Sequence, residues 1–239
     1  MRGLILGLLA GCAAACAAPA RAETAVPETT VPDPIALYGD RITFTILRDD
    51  HPIGTHLVTF RRSGNAVIAE SRSDIRIPFL VFEAYRFDYR ARSTWLDGRL
   101  QHLDAKTDDD GSVSTVTAAR DGAGFDVAGP AGPRRLAAPL LPTEHWLKAM
   151  VESRHLLNTI TGEMNAISVA ALGSERIATA GGRTLTAEHF AYGGDLDLDS
   201  WYDAAGRWVK LRFTAKDGSV IEYRCSSCED TISGLAVNP

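Results

Sequence analysis

The chain has 239 residues, of which 45% are hydrophobic, and it carries 25 Lys and Arg against 30 Asp and Glu, a formal net charge of −5. This acidic balance argues against nucleic acid as a partner. The length fits one large β domain or two small ones. No apolar run in the sequence reaches the roughly 20 residues that a transmembrane helix requires.

Residues 1–22 have the order of a secretory signal. Arg2 precedes an apolar run over residues 4–18, and residues 20–22, Ala-Arg-Ala, place small side chains at the two positions that signal peptidase recognises. We therefore expect a signal peptide over residues 1–22 and a protein that is periplasmic or secreted.

A second processing event competes with this cleavage. Leu9-Ala10-Gly11-Cys12 has the order of a lipobox, in which the thiol of Cys12 is acylated and the protein becomes lipid-anchored in the envelope. Cleavage before Cys12 would leave a signal shorter than the roughly 15 to 30 residues that are usual. Lipidation at Cys12 therefore stays as the alternative.

The expected domain organisation follows from composition. Residues 23–37 contain three prolines and no periodicity, which predicts a flexible leader. The predicted antiparallel β domain covers residues 38–230, and residues 231–239 form a C-terminal tail.

Turn signals recur about every ten residues after Tyr38, which is typical of a meander of β-hairpins. Asp97-Gly98, Asp110-Gly111 and Asp121-Gly122 are the clearest of these turns. The predicted strands cover 41–48, 53–62, 66–76, 79–95, 99–107, 112–120 and 124–128, and then 166–171, 175–180, 184–192, 199–208, 209–215 and 219–224.

One helix is predicted, over about 142–157. Pro142-Thr143 has the composition of an N-terminal cap. Trp146, Leu147 and Met150 would share one side of that helix. The expected fold class is therefore mainly β: a single antiparallel curved sheet or half-barrel of about ten or more strands, with one helix.

Several motifs resemble an uncharacterised family of exported bacterial proteins that is known as a domain of unknown function. The resemblance covers residues 38–224. Its motifs are Asp49-Asp50-His51-Pro52-Ile53-Gly54, Trp95-x-Asp97-Gly98-x-Leu100, Leu157-Asn158-x-x-Thr161-Gly162 and Trp201-Tyr202-Asp203. It implies an exported, sheet-rich half-barrel with a helix against its concave side, similar in outline to periplasmic carriers of lipids and lipoproteins. It implies no catalytic residue.

Cys225 and Cys228 are expected to form a disulfide, because an even pair in an oxidising compartment is normally bonded. A bond between them requires the last strand to end by Cys225 and residues 226–227 to turn. A redox-active pair, a metal site and free thiols stay open as alternatives.

Other chemistry is not indicated. The six histidines lack the spacing of a preformed metal site, so neither metal nor cofactor is predicted. Asp108-Asp109-Asp110 matches the start of a calcium loop only superficially. The sequence contains no nucleophile elbow, phosphate loop or nucleotide fingerprint, so no catalytic residue is predicted.

The leading functional hypothesis is an exported protein that binds an apolar or lipid-like ligand in the cell envelope. Its predicted ligand-lining residues are Trp95, Trp146, Trp201 and Tyr202. The alternative is an envelope assembly or protein-interaction factor without a ligand. Its interface would be the charged strand face formed by Arg86, Asp88, Arg90 and Arg92. A hydrolase or isomerase in a β barrel is the less favoured third hypothesis.

Overall fold

A computed structural model of the protein describes residues 31–79 and 82–228. The signal peptide, Cys12 and the C-terminal tail therefore lie outside the described residues. Fourteen strands form one antiparallel sheet that curves without closing. The strands are β1 (Arg41–Arg48), β2 (His51–Ser63), β3 (Ala66–Phe79), β4 (Phe82–Leu96), β5 (Arg99–Asp109), β6 (Ser112–Asp121), β7 (Gly124–Ala128), β8 (Arg134–Ala137), β9 (His155–Leu157), β10 (Met164–Ala178), β11 (Thr184–Gly194), β12 (Leu198–Asp203), β13 (Trp208–Thr214) and β14 (Val220–Cys225).

The expected fold class is confirmed, and the turn chemistry explains why the hairpins form. Asp49 and Asp50 join β1 to β2, and both have positive φ angles, 46° and 66°. Asp97 and Asp110 adopt φ of 51° and 50° in the next predicted turns. Short Asp side chains and Gly tolerate this left-handed backbone, which matches the twist of paired strands.

The strand order divides the sheet into two arms. From the centre, one arm runs from β1 out to β8, and the other runs from β14 out to β9. The arms meet at the antiparallel pair β1–β14, where Phe44 lies opposite Cys225 and Ile46 opposite Tyr223. Consecutive strands form every other pair in the sheet, so β1–β14 is the long-range pairing that joins the arms.

Alternation along each strand gives the sheet an apolar inner face and a charged outer face. The connection between β8 and β9 packs on the inner face, where Trp146 lies 5.2 Å from Phe60 and 5.5 Å from Trp95 between ring centroids. Inner-face and connection side chains form most of the main core. We call residues 138–163 the plug, because they fill the space inside the curve.

The plug is not the helix that was predicted over 142–157. It contains a short 3-10 helix, Lys148–Glu152, which is followed by β9. Thr143 N–H donates to the carbonyl of Leu157, and Leu157 N–H donates to the carbonyl of Leu141. Thr143 Oγ1 accepts from Thr159 N–H at 3.2 Å instead of capping a helix. These long-range bonds hold the chain extended where the local signal favoured a helix.

The α-helix of the described chain lies elsewhere, at α1 (Pro34–Tyr38), which begins inside the predicted flexible leader and ends one residue after it. Asp33 caps it by accepting from Ile35 N–H at 3.0 Å. Val31 is buried in the core. The described part of the leader, residues 31–37, therefore belongs to the fold, because it buries apolar side chains that the proline pattern concealed.

A smaller difference concerns β10. Two strands were predicted over 166–171 and 175–180, whereas the structure has one strand that continues through a bulge between Ala171 and Gly173. Gly173 has a positive φ of 93°, which suits glycine at a bulge.

Candidate functional site

The centre of the candidate site is the turn of the plug at residues 144–147, which is fixed by a buried carboxylate. Glu144 is 4% exposed, and it accepts hydrogen bonds from the hydroxyls of Ser71 and Ser93 at 3.2 and 3.1 Å. It also accepts from Trp146 Nε1 at 2.9 Å. Burial raises the pKa of Glu144, while these three donors act in the opposite direction. The inner-face serines therefore give the carboxyl the partners that a buried charge requires.

Two tyrosines hold the backbone of the same turn. Tyr38 Oη donates to the carbonyl of Trp146 at 2.9 Å and accepts from Trp208 N–H at 3.0 Å. Tyr202 Oη donates to the carbonyl of His145 at 2.9 Å. The turn is thus connected to α1, β12 and β13 as well as to β3 and β4. Its position depends on both arms of the sheet.

An apolar cleft of about 320 Å³ opens beside this turn. We call it the rim cleft. Its walls come from α1 and the residues before it, from the plug, and from the turn between β12 and β13. The lining consists of Val31, Pro32, Pro34, Leu37, Tyr38, Trp146, Leu147, Lys148, Ala149, Ala204, Ala205 and Gly206. Lys148 is the charged residue of this lining, and its Nζ lies 2.6 Å from Glu188 Oε2.

The four predicted ligand-lining residues do not come together in one cavity. Trp146 lines the rim cleft, and Trp95 lines a smaller cavity of about 160 Å³ that it shares with Val31 and Pro34. Tyr202 is fully buried in the core. Trp201 points to the outer face, because neighbouring strand residues alternate. The interior that the aromatic residues were expected to enclose is occupied by the plug.

Trp201 lies in a charged network that the sequence analysis did not identify. His189 stacks on the indole ring at 4.2 Å, and Lys210 and Arg212 lie over it at 4.9 and 5.4 Å. His189 Nε2 lies 2.7 Å from Asp199 Oδ1. These partners come from adjacent strands, and the sequence carries no signal for such cross-strand neighbours before the register is known.

The buried pair of His56 and Ser73 does not have the surroundings of a nucleophile and its base. His56 Nδ1 lies 2.7 Å from Ser73 Oγ, but the two residues are 9% and 4% exposed. Burial, with a smaller contribution from His145, lowers the pKa of His56 to about 3. Such a histidine is a weak base, and the pair forms a hydrogen bond inside the core.

The charged strand face that was predicted as an interface is partly occupied by internal ion pairs. Arg86 Nη2 lies 3.0 Å from Asp108 Oδ2, and Asp88 Oδ1 lies 3.0 Å from Arg76 Nη2. Arg92 Nη1 likewise lies 2.9 Å from Glu70 Oε1, and Arg90 and Arg92 line a shallow groove of about 540 Å³ on the outer face.

Cys225 and Cys228 form the predicted disulfide, with Cα atoms 5.7 Å apart. β14 ends at Cys225, and the N–H groups of Ser226 and Ser227 both donate to the carbonyl of Thr43. The bond thus closes a turn against β1, at the junction of the two arms. No helix follows that would lower a thiol pKa within the described residues, which end at Cys228.

Neither a metal cluster nor a membrane-spanning helix is present among the described residues. No group of three or more His, Cys, Asp or Glu side chains there is arranged to hold a metal ion. The helices of the same residues are too short or too polar to cross a membrane.

Comparisons with known proteins agree with this architecture. The sequence profile described as Domain of unknown function (DUF6134) matches residues 44–226. A crystal structure of a beta-barrel-like protein of domain of unknown function DUF1849 from Brucella abortus is similar, with a TM-score of 0.54 at 9% identity. The similarity covers 77% of this chain and 94% of that one, and at such identity it shows the fold alone. A search of curated proteins found no match.

Proposed function

The chain belongs to the DUF6134 family, and we propose that it is an exported protein that binds an apolar, lipid-like ligand in the rim cleft. The description of the family states no activity, so the proposal is based on the geometry of the structure. The observation that carries this proposal is an apolar lining around about 320 Å³, with the ring of Trp146 held in its wall. That volume lies at the lower end of the roughly 300–1,000 Å³ of small-molecule sites.

The cleft suits a ligand that inserts one apolar portion and leaves its polar end in solvent. Leu37, Leu147 and Ala149 offer apolar contact, and Lys148 marks the polar end of the lining. Burial of apolar ligand surface would provide the binding energy at about 25 cal/mol per Å². Because the plug fills the interior, this proposal places the ligand at the rim and not inside the curve of the sheet.

Binding can be tested with N-phenyl-1-naphthylamine, a neutral probe that fluoresces in apolar sites. Ala149→Phe places a phenyl ring in the lining of the cleft, and Ala170→Phe adds the same ring to an exposed position on β10. We expect saturable binding to the wild-type protein and to Ala170→Phe, and at least about tenfold weaker binding to Ala149→Phe. Equal affinity of all three proteins, or no saturable binding, would refute the proposal.

Export is the second part of the proposal. The signal-like order of residues 1–22 supports it, and so does the Cys225–Cys228 disulfide, since disulfides persist in oxidising compartments. Intact mass of protein from its native envelope distinguishes the processing routes. A chain that begins at Glu23 indicates signal peptidase cleavage, an acylated chain that begins at Cys12 indicates lipid anchoring, and an unprocessed chain contradicts export.

A protein partner in the envelope is the second candidate function. The outer-face groove beside Arg90 and Arg92 favours it, because exposed charged side chains, among them Arg90, Arg92 and Lys106, are part of its lining. A specific partner that co-purifies with the wild-type protein should be lost from the Arg90→Glu, Arg92→Glu variant. Retention of that partner by the charge-reversed variant would exclude this face.

A further inference from the structure

Three cations lie directly opposite one another on the outer face. Arg72 on β3 pairs in register with Arg90 on β4, and Arg90 pairs with Lys106 on β5. We call these three residues the cation row. Like charges opposite each other on neighbouring strands destabilise a sheet. A row of three therefore needs compensation from nearby carboxylates or from a ligand.

A neighbouring row shows how this sheet compensates like charges. Asp74, Asp88 and Asp108 also lie opposite one another on β3, β4 and β5. Arg76 lies 3.2 Å from Asp74 and 3.0 Å from Asp88, and Arg86 lies 3.0 Å from Asp108. These guanidinium groups hold the pKa of Asp88 below its ordinary value. The acidic row is thus neutralised by direct ion pairs.

The cation row lacks equivalent pairs. Arg72 lies 3.8 Å from Asp74, which Arg76 already contacts more closely. Within the part of the chain that the structure describes, Arg90 and Lys106 form no ion pair. The carboxylates on the other side of the row are also engaged, because Glu70 lies 2.9 Å from Arg92 and Asp104 lies 3.2 Å from His102.

The cation row lies in the outer-face groove of about 540 Å³. Leu57 lies beyond Arg72 at one end of the row and Thr115 lies beyond Lys106 at the other. Three adjacent strands place the outer members of the row about 10 Å apart. Carboxylates border the row on both sides, so a bound anion has to be narrow and lie along the row.

We propose that the groove binds a linear anion that carries phosphate groups, with the phosphates aligned along Arg72, Arg90 and Lys106. Guanidinium groups bind phosphate oxygens through two parallel hydrogen bonds, and an ammonium group adds a point charge. The hydroxyls of Thr115 and Thr117, which line the groove, provide further donors. This site lies on the opposite face of the sheet from the plug, so it does not depend on the rim cleft.

Tripolyphosphate, a linear anion of three phosphate units, is a suitable probe for titration calorimetry. Arg90→Gln and Lys106→Gln should each weaken its binding by about tenfold. Arg135→Gln removes the same charge from β8, where Arg135 pairs with Asp121 and Asp126 at 3.1 and 2.6 Å. This control should change the affinity less than twofold. Equal losses in all three variants would indicate general charge attraction, and absence of binding would overturn the proposal.

A stability measurement separates a ligand site from a structural one. Without ligand, Arg90→Gln should unfold at the same temperature as the wild-type protein or slightly higher, because it removes repulsion from the cation row. A lower unfolding temperature would show that Arg90 stabilises the sheet and would contradict the proposal. Sedimentation with phosphatidylglycerol vesicles and phosphatidylcholine controls then identifies the source. Arg90-dependent binding to the anionic vesicles alone indicates a lipid headgroup, and binding of tripolyphosphate without vesicle binding indicates a soluble anion.

Discussion

Glu144 and Trp146, two residues apart in the plug, are joined by a hydrogen bond of 2.9 Å from the indole Nε1 to the carboxylate Oε2. The same carboxylate accepts from Ser71 on β3 and Ser93 on β4. One buried side chain therefore sets the position of the rim-cleft wall relative to the first arm of the sheet.

Two replacements of Glu144 should distinguish the contribution of its hydrogen bonds to stability from the contribution of its charge. Glu144→Leu leaves three buried donors without an acceptor, and each unsatisfied group costs about 1–3 kcal/mol. We expect urea denaturation to show a loss of about 3 kcal/mol or more for Glu144→Leu. Glu144→Gln keeps an acceptor oxygen and should lose about 1 kcal/mol. Equal losses in the two variants would mean that these hydrogen bonds contribute little.

The stability of the protein should depend on pH in part through the titration of His56. The pKa of His56 is lowered from 6.5 to about 3, so the unfolded chain binds a proton that the folded protein does not. This contribution to stability is present above about pH 6.5 and is lost as the pH falls, by about 1.4 kcal/mol per pH unit. Denaturation at pH 7, 6 and 5 should show a shallower loss in His56→Gln. An unchanged slope would contradict the burial of a neutral His56.

The contribution of Glu144 to the pH dependence of stability should have the opposite sign to that of His56. Its pKa is raised from 4.5 in the folded protein, so the folded state binds the proton more tightly than the unfolded chain. This contribution is full below pH 4.5 and is lost as the pH rises through the folded pKa. The stability of Glu144→Gln relative to the wild-type protein should therefore increase from pH 4 to pH 7. A constant difference across that range would show that the carboxyl titrates normally.

Trp201 should behave as a structural residue and not as part of the ligand site. It is 1% exposed under His189, Lys210 and Arg212, and it does not line the rim cleft. We expect Trp201→Ala to lower the free energy of unfolding by about 3–5 kcal/mol. The milder Trp201→Phe should remain folded and bind N-phenyl-1-naphthylamine with unchanged affinity. Weaker binding by a folded Trp201→Phe variant would show that Trp201 contributes to the ligand site.

The disulfide should stabilise the fold only modestly, because it closes a short loop. Cys225 and Cys228 are three positions apart, and loop-closure entropy for so short a ring amounts to about 2 kcal/mol. Reduction of the wild-type protein should lower its free energy of unfolding by that amount. The Cys225→Ser, Cys228→Ser variant should be insensitive to reductant. A loss near 5 kcal/mol would indicate that the bond also maintains the β1–β14 pairing.

Local signals predicted the sheet well. Alternating side chains and Asp-Gly turns located most strands, because period and turn chemistry are properties of a few consecutive residues. The Cys225–Cys228 spacing likewise predicted a turn, which the structure contains. These features depend little on which strands are neighbours.

The plug and the site were not predictable in the same way. Pro142-Thr143 has the local signature of a helix cap, yet Thr143 bonds to Thr159 and Leu157. Glu144 contacts Ser71, which lies 73 positions earlier in the chain, and Ser93, which lies 51 positions earlier. Such partners are fixed only when the sheet has folded. Tertiary bonds here override local propensity.

The β1–β14 pair has a consequence for how the chain folds. Thr45 and Ser226 meet at this junction although 181 positions separate them, so the pair forms only after the entire intervening chain is available. Contacts of such long range slow folding, because the chain loses loop-closure entropy before the stabilising contacts between the strands form. Until β14 arrives, the free edge of β1 is exposed to pairing with other chains. The incomplete chain therefore carries an aggregation hazard at β1, and pairing with β14 removes the hazard at that edge.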